Sequence, residues 1–328
     1  MGIRAAPAGN GPSSDSHRAG RIWLHRYAVF CAIATFPLIF AGGLVTGMEA
    51  ALAVPDWPTT YGQNMFTYPW SKMVGGIFYE HGHRLLGSAV GVLTVGLTVW
   101  LGFAEPRRWL RMLGIVALGA VVLQGILGGL RVTELAHWLA IPHACLAQTF
   151  FCLMAAIALF TSPAWQASVE PISDPQRSEL PRVCGVATLA IYCQLVAGAV
   201  QRHAESLVGA ALWIHLGGAV VVSALVIRAI RRVSIHTGHR RELVRPARIG
   251  LVLLAVQLLL GGGSFWVRWI AVNDVQPEFL TVAVTTLHVA VGALLLMTSL
   301  ILTLQSYRLL QMPTGKLETE FVATGVVA

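Results

Sequence analysis

Charge is scarce in this chain. Of 328 residues only 12% are Asp, Glu, Lys or Arg, about half the share a soluble domain carries. Cysteine chemistry is sparse as well. The five cysteines, Cys31, Cys145, Cys152, Cys184 and Cys193, all fall inside apolar runs and none forms a CxxC pair. They read as packing residues, not as zinc or iron–sulfur ligands, and they say little about redox compartment. The net charge of +8 sits in short basic stretches between apolar runs. That distribution is the basic bias of cytoplasmic membrane loops and not the footprint of a nucleic-acid binder. No short apolar stretch with a small-residue cleavage site follows the Gly/Ser/Pro-rich start; Arg21, His25 and Arg26 lead straight into a full-length run, so a cleaved leader is not expected.

What is abundant is apolar surface: 55% of the residues are hydrophobic, gathered in long runs. About 20 apolar residues cross a 30 Å hydrocarbon core as a helix, and eight such spans are expected at 27–47, 82–103, 111–131, 139–161, 182–200, 208–228, 248–268 and 280–305. The fold class is an all-α membrane protein of eight transmembrane helices. Lys and Arg concentrate before span 1 (Arg4, Arg18, Arg21, Arg26), between spans 2 and 3 (Arg107, Arg108, Arg111) and between spans 6 and 7 (Arg231, Arg232, Arg240, Arg241, Arg245, Arg248). Both termini are therefore expected in the cytoplasm, with the 48–81 loop outside.

An internal repeat is legible. HRLLGSAVGVL of span 2 matches HLGGAVVVSAL of span 6, LQGILGGLRV of span 3 matches VQLLLGGGSFWV of span 7, and HACLAQTFF of span 4 matches HVAVGALLL of span 8. This gives two parallel pseudo-repeated four-helix bundles, 25–165 and 182–308. A disordered tail (1–24), a linker (166–181) and a C-terminal tail (309–328) complete the division. Small residues such as Gly87 and Gly91, or Gly125 and Gly129, suit close helix contact in a bilayer.

Eleven histidines occur. His17, His25, His236 and His239 lie in the basic cytoplasmic segments, and His81, His137 and His203 at the outer boundary. The other four, His83, His143, His215 and His288, lie near the outer ends of the even-numbered spans, at similar depth on helices of one direction. An ionisable group inside a span needs a partner in place of water. One such histidine is as readily glue between helices; four in equivalent places point to a bound group. Zinc lacks carboxylate or thiolate company here. Heme iron commonly takes axial histidines, and two facing imidazoles per half, with Gly87, Gly217, Gly218 and Gly292 giving room, suit one heme in each half.

The halves differ chemically. Glu80 precedes His83 and Arg84 by one helical turn and shares their face, whereas the stretch before His215 has no carboxylate. Glu80 either serves a reaction at the first site or salt-bridges Arg84. Arg84, Arg131, Arg202 and Arg268 at the outer rim either meet propionates or snorkel to the interface. Trp57, Trp70, Trp138, Trp213 and Trp266 form an interfacial belt.

The segment GGLVTGMEAALAVPDWPTTYG (42–62) followed by EHGHRLLG (80–87) closely resembles the start of the heme A synthase family, and the resemblance extends over roughly residues 25–310. VPDWP followed by ExxHR is its specific part. The resemblance implies an oxidoreductase of the inner (plasma) membrane that converts the C8 methyl of heme O to a formyl group, by two hydroxylations and loss of water, to supply heme A to terminal oxidases. Heme O would lie between His83 and His143, with Arg84 binding it and Glu80 assisting catalysis. Heme b, the cofactor, would lie between His215 and His288. Heme O synthase, terminal oxidase assembly factors, the lipid bilayer and further copies of the chain are the partners it suggests. Many bacterial members carry a cysteine pair in the first outer loop. The 48–81 loop has none, so a thiol-assisted step is not expected. Two other readings remain: a di-heme cytochrome b that only passes electrons, which needs no Glu80, and a repeat-built transporter with histidine proton relays, which would favour acidic residues within the spans.

Overall fold

The computed structural model describes residues 12–168, 179–203, 208–237, 240–270 and 278–310. Within them the chain forms α1 (Pro12–Gly47), α2 (Gly76–Ala104), α3 (Arg108–Thr133), α4 (Ala140–Thr161), the single turn α5 (Pro163–Gln166), α6 (Glu179–His203), α7 (Val208–His236), α8 (Arg241–Trp269) and α9 (Phe279–Leu310). All but α5 are long and apolar enough to cross a membrane. Helix is the form an open chain must take in hydrocarbon, because it satisfies every backbone N–H and C=O within the segment. The chain is an all-α, multi-pass membrane protein with eight such helices. Among the described residues the strands are the two-residue pairs β1 (Thr59–Thr60) and β2 (Gln63–Asn64).

Several helices overrun the spans that hydropathy marks. α7 continues to His236 and α8 starts at Arg241, so Arg231, Arg232, Arg241 and Arg245 sit on helix ends instead of in a long loop. Hydropathy reports the lipid crossing; helical hydrogen bonding continues beyond it, and arginine is a good helix former. α1 begins at Pro12, within the 1–24 tail, of which residues 1–11 lie outside the described residues. Most of the 166–181 linker (169–178) and of the 309–328 tail (311–328) also lies outside them, as do the side chains of His17 and His239.

The chain divides into two compact units, residues 1–167 and 168–328. In the first, α1 packs on α2 and α4, and α3 closes the ring against the same two. α4 is the most enclosed member: Phe150, Phe151, Met154 and Ile157 are buried, and Phe151 meets Phe36 of α1 at 6.0 Å between ring centres. Polar side chains join the helices where apolar contact with lipid would be no worse than contact with protein. Tyr27 donates to the Leu93 carbonyl at 3.1 Å, and Thr98 to the Gly114 carbonyl at 2.9 Å. Residues turned outward are apolar, as Phe103 (90% exposed) shows. In the second unit α6 packs on α7 and α9, and α8 on the same two. Thr188 bonds Ser299 at 2.7 Å and Thr303 at 2.9 Å across the α6–α9 seam.

Candidate paired-histidine sites

In the first unit His83 on α2 faces His143 on α4, with ring centres 6.5 Å apart. In the second, His215 on α7 faces His288 on α9 at 6.3 Å. The spacing has a chemical meaning. A metal–imidazole bond is about 2.0–2.1 Å long and the ring centre lies roughly 1.1 Å behind its nitrogen, so two rings on opposite sides of one metal atom are about 6.3 Å apart. Two nitrogens are too few for zinc, which takes four ligands, and no group of three or more His, Cys, Asp or Glu comes together among the described residues. A metal that brings its own equatorial ligands needs only two.

Each ring rests on a glycine of the preceding helix. A Cβ would come within 3.1 Å of His83 at Gly42, 3.4 Å of His143 at Gly128, 2.8 Å of His215 at Gly198 and 3.2 Å of His288 at Gly261, always at ring atom Cε1. The lack of a side chain lets the imidazole lie against helix backbone. There it faces the carbonyl four residues before the glycine. His215 Nδ1 donates to the Gln194 carbonyl at 3.2 Å. A carbonyl only accepts, so the proton is on Nδ1 and the Nε2 lone pair is left for a metal. The His83, His143 and His288 rings neighbour the backbone of Leu38, Gln124 and Gln257, and their Nδ1 atoms are buried without a hydrogen-bond partner.

Three of the four cradles also carry a glutamine at the carbonyl position. Gln124 Nε2 donates to the His143 carbonyl at 3.1 Å, and Gln194 Nε2 to the His215 carbonyl at 2.6 Å. Gln257 Nε2 lies 3.4 Å from His288 Nε2. This changes the role expected for two glycines. A Cβ at Gly218 would collide with Gln194 Oε1, and one at Gly292 would lie 3.2 Å from Gln257 Nε2. They admit the glutamine side chains here; Gly217 alone of the four opens on nothing within 4 Å. The signal for the cradles was present in the sequence as a thrice-repeated Q-x-x-x-G: QGILG (124–128), QLVAG (194–198) and QLLLG (257–261).

The first unit carries a roof. Between α1 and α2, β1 and β2 pair as an antiparallel hairpin around Tyr61 and Gly62, both at positive φ (51° and 73°), the two-residue turn that matches strand twist. Asp56 fastens it, accepting from the Thr59 hydroxyl and from the Tyr61 and Gly62 amides at 2.8 Å each. Burial alone would raise the Asp56 pKa, but the Thr59, Gly62 and Tyr61 donors outweigh it and hold the carboxyl below its usual range. Trp57 lies flat on α3: a Cβ at Gly129 would be 2.5 Å from its Cδ2. Gly128, on which His143 rests, is the next residue along α3.

Glu80 and Arg84 anchor this loop. Glu80 is 4% exposed; Oε1 pairs with Arg84 at 2.6 Å and Oε2 accepts from the Val54 amide at 2.8 Å. Arg84 also donates to the carbonyls of Asp56 (2.6 Å), Thr59 (3.2 Å) and Val54 (3.0 Å). His81 turns the other way, bonding Thr60 at 3.0 Å and meeting Tyr68 at 5.2 Å. Arg131 of α3 stands within electrostatic reach of Glu80, His83 and His143, with its Nε buried and without a hydrogen-bond partner. In the second unit Arg202 is near Arg268 and His288. All five cysteines are free; four are buried and Cys193 is exposed.

Eight apolar helices carrying two pairs of facing imidazoles define the class, a multi-pass helical membrane protein with one histidine pair in each unit. Residues 25–311 match the cytochrome oxidase assembly protein family, and the chain belongs to that family. Among curated relatives, a heme A synthase of Beijerinckia indica is 29% identical over 60% of this chain and 63% of its own length. A heme A synthase of Listeria monocytogenes is 29% identical over 40% of this chain and 42% of its own, and that of Symbiobacterium thermophilum 28% identical over 63% and 73%. The chain thus spans less than two thirds of the length of the first two.

Proposed function

We propose that the protein is a heme A synthase that oxidises the C8 methyl group of heme O to a formyl group. The single observation that carries the heme assignment is the ring spacing in each unit, 6.5 and 6.3 Å. The unequal surroundings of the two pairs support a division of labour. Substrate heme O lies between His83 and His143 in the first unit, under the Trp57 roof. Heme b, as resident cofactor, would be held by His215 and His288 and would supply one-electron chemistry when bound.

Within the first unit, Arg131 offers a buried, unpartnered guanidinium N–H to a substrate propionate. Arg84 shapes the same rim while holding the loop, and Glu80 places a carboxylate one turn from His83. That negative charge favours cation developing on the macrocycle as electrons leave the methyl carbon. Written with water as the oxygen source, each hydroxylation replaces a C–H bond of that carbon with C–OH and passes two electrons to an external acceptor and two protons to solvent; the geminal diol formed by the second then loses water to give the aldehyde. The two units are pseudo-repeats, both termini face the cytoplasm, and the protein sits in the inner (plasma) membrane, where heme O synthase and terminal oxidase assembly factors are its expected partners.

The similar geometry of the two pairs favours one other reading, a cytochrome b that only transfers electrons. Extraction and chromatography of the noncovalently bound hemes separates them. Protein purified from cells that make heme O is expected to yield heme A or its hydroxylated precursor, with heme O accumulating in Glu80→Ala. Heme b alone in both would leave the cytochrome.

A further inference from the structure

We propose that His83 is the releasable ligand among the four, and that Leu38, standing where the other three cradles carry a glutamine, makes it so. The proposal rests on the first unit being the substrate side.

Gln257 stands beside the His288 ring at Nε2, the atom a bound iron would take, whereas Gln124 and Gln194 each donate across a helix seam to the backbone carbonyl of the ligand residue they face. In hydrocarbon such an amide has no water to turn to, so it pins the ligand-bearing helix to its neighbour. At His83 the corresponding segment is LIFAG (38–42). Gly42 still cradles the ring, but Leu38 has no donor to offer. Its Cδ1 lies 3.9 Å from where a Cβ would stand on Gly87. Gly87 thus faces Leu38 as Gly218 and Gly292 face their glutamines. The second unit therefore has His215 pinned and a glutamine beside His288, as a retained cofactor requires. The first has His143 pinned and His83 not, as a substrate that must leave after conversion requires. What holds His83 instead is α2 itself, fixed one turn away by Glu80 and Arg84 to the hairpin loop.

Leu38→Gln is close to isosteric, and Gly87 leaves room for the amide. The experiment mixes heme-loaded protein in detergent micelles with excess apomyoglobin and follows heme transfer by absorbance. Wild type is expected to release heme in two phases, the fast one absent from His83→Ala. Leu38→Gln should slow the fast phase about fivefold, a change in keeping with one interhelical hydrogen bond, while leaving the low-spin Soret spectrum intact. Gln194→Leu should accelerate the slow phase by a similar factor. An unchanged fast phase in Leu38→Gln overturns the proposal. If that variant does not fold, Gln194→Leu decides: acceleration supports the pinning role, and an unchanged slow phase overturns it. Chromatography of the heme released in the fast phase tests the underlying reading separately. Heme b alone there would sink the synthase assignment while the rate comparison still judges the glutamines.

Discussion

A methyl group is a sensitive probe of how each imidazole is seated. The clearance for an added Cβ rises from 2.8 Å at Gly198 through 3.1 Å at Gly42 and 3.2 Å at Gly261 to 3.4 Å at Gly128. Overpacking a fitted site costs about 1–3 kcal/mol, so Gly198→Ala is expected to shift or expel the His215 ring, whereas Gly128→Ala meets ordinary contact. Heme-to-protein ratio and low-spin electron paramagnetic resonance will read the order; equal losses at both positions would mean the glycines do not seat the rings. Asp56 offers a second residue-scale test. Its folded-state pKa lies below the unfolded value, so its contribution to loop stability is present above the ordinary Asp value of about 3.9. It fades as pH falls through the lower folded value. Pepsin cleavage within 48–75 should therefore rise only in strong acid for wild type. Asp56→Asn lacks the charge and should be susceptible already at the mild end of pepsin's range.

Among the elements, α2, α3 and the loop between α1 and α2 act together. Trp57 occupies the space that Gly129 leaves, so Gly129→Ala is expected to unseat the roof. It should increase proteolysis of the loop and lower heme content in the first unit only. Loss from the second unit as well would mean general unfolding. At the α2–α3 corner Glu105 is buried. It accepts from Arg107 through Nε at 2.7 Å and Nη2 at 2.9 Å, while Arg107 also donates to the Phe160 carbonyl at 3.0 Å. Replacing Glu105 with Gln weakens a charge-assisted pair, with an expected cost of about 1.5–3 kcal/mol and a lower melting temperature in micelles. How far this was legible depends on the element. The helices and the four histidines could be read from apolar length and from ionisable groups out of place in lipid. So could the i,i+4 relation of Glu80 and Arg84. The hairpin roof could not, because its order comes from Arg84 gathering three backbone carbonyls of a segment with no periodicity of its own. The cradles were written as Q-x-x-x-G but were masked by the many glycines that TM helices tolerate.

At the scale of the whole molecule, each unit closes its own ring of four helices around its own histidine pair. His83 and His143 fall within residues 1–167, and His215 and His288 within 168–328. Heme binding should therefore be separable even where catalysis is not. Replacing His215 and His288 together with Ala is expected to halve the heme bound per chain while keeping the first-unit spectrum and, on the proposed division of labour, to leave heme O unconverted. Replacing His83 and His143 should likewise halve the heme content but leave only heme b. A protein that lost all heme in either double variant would need a site shared between units, and the reading of one heme per unit would fall with it.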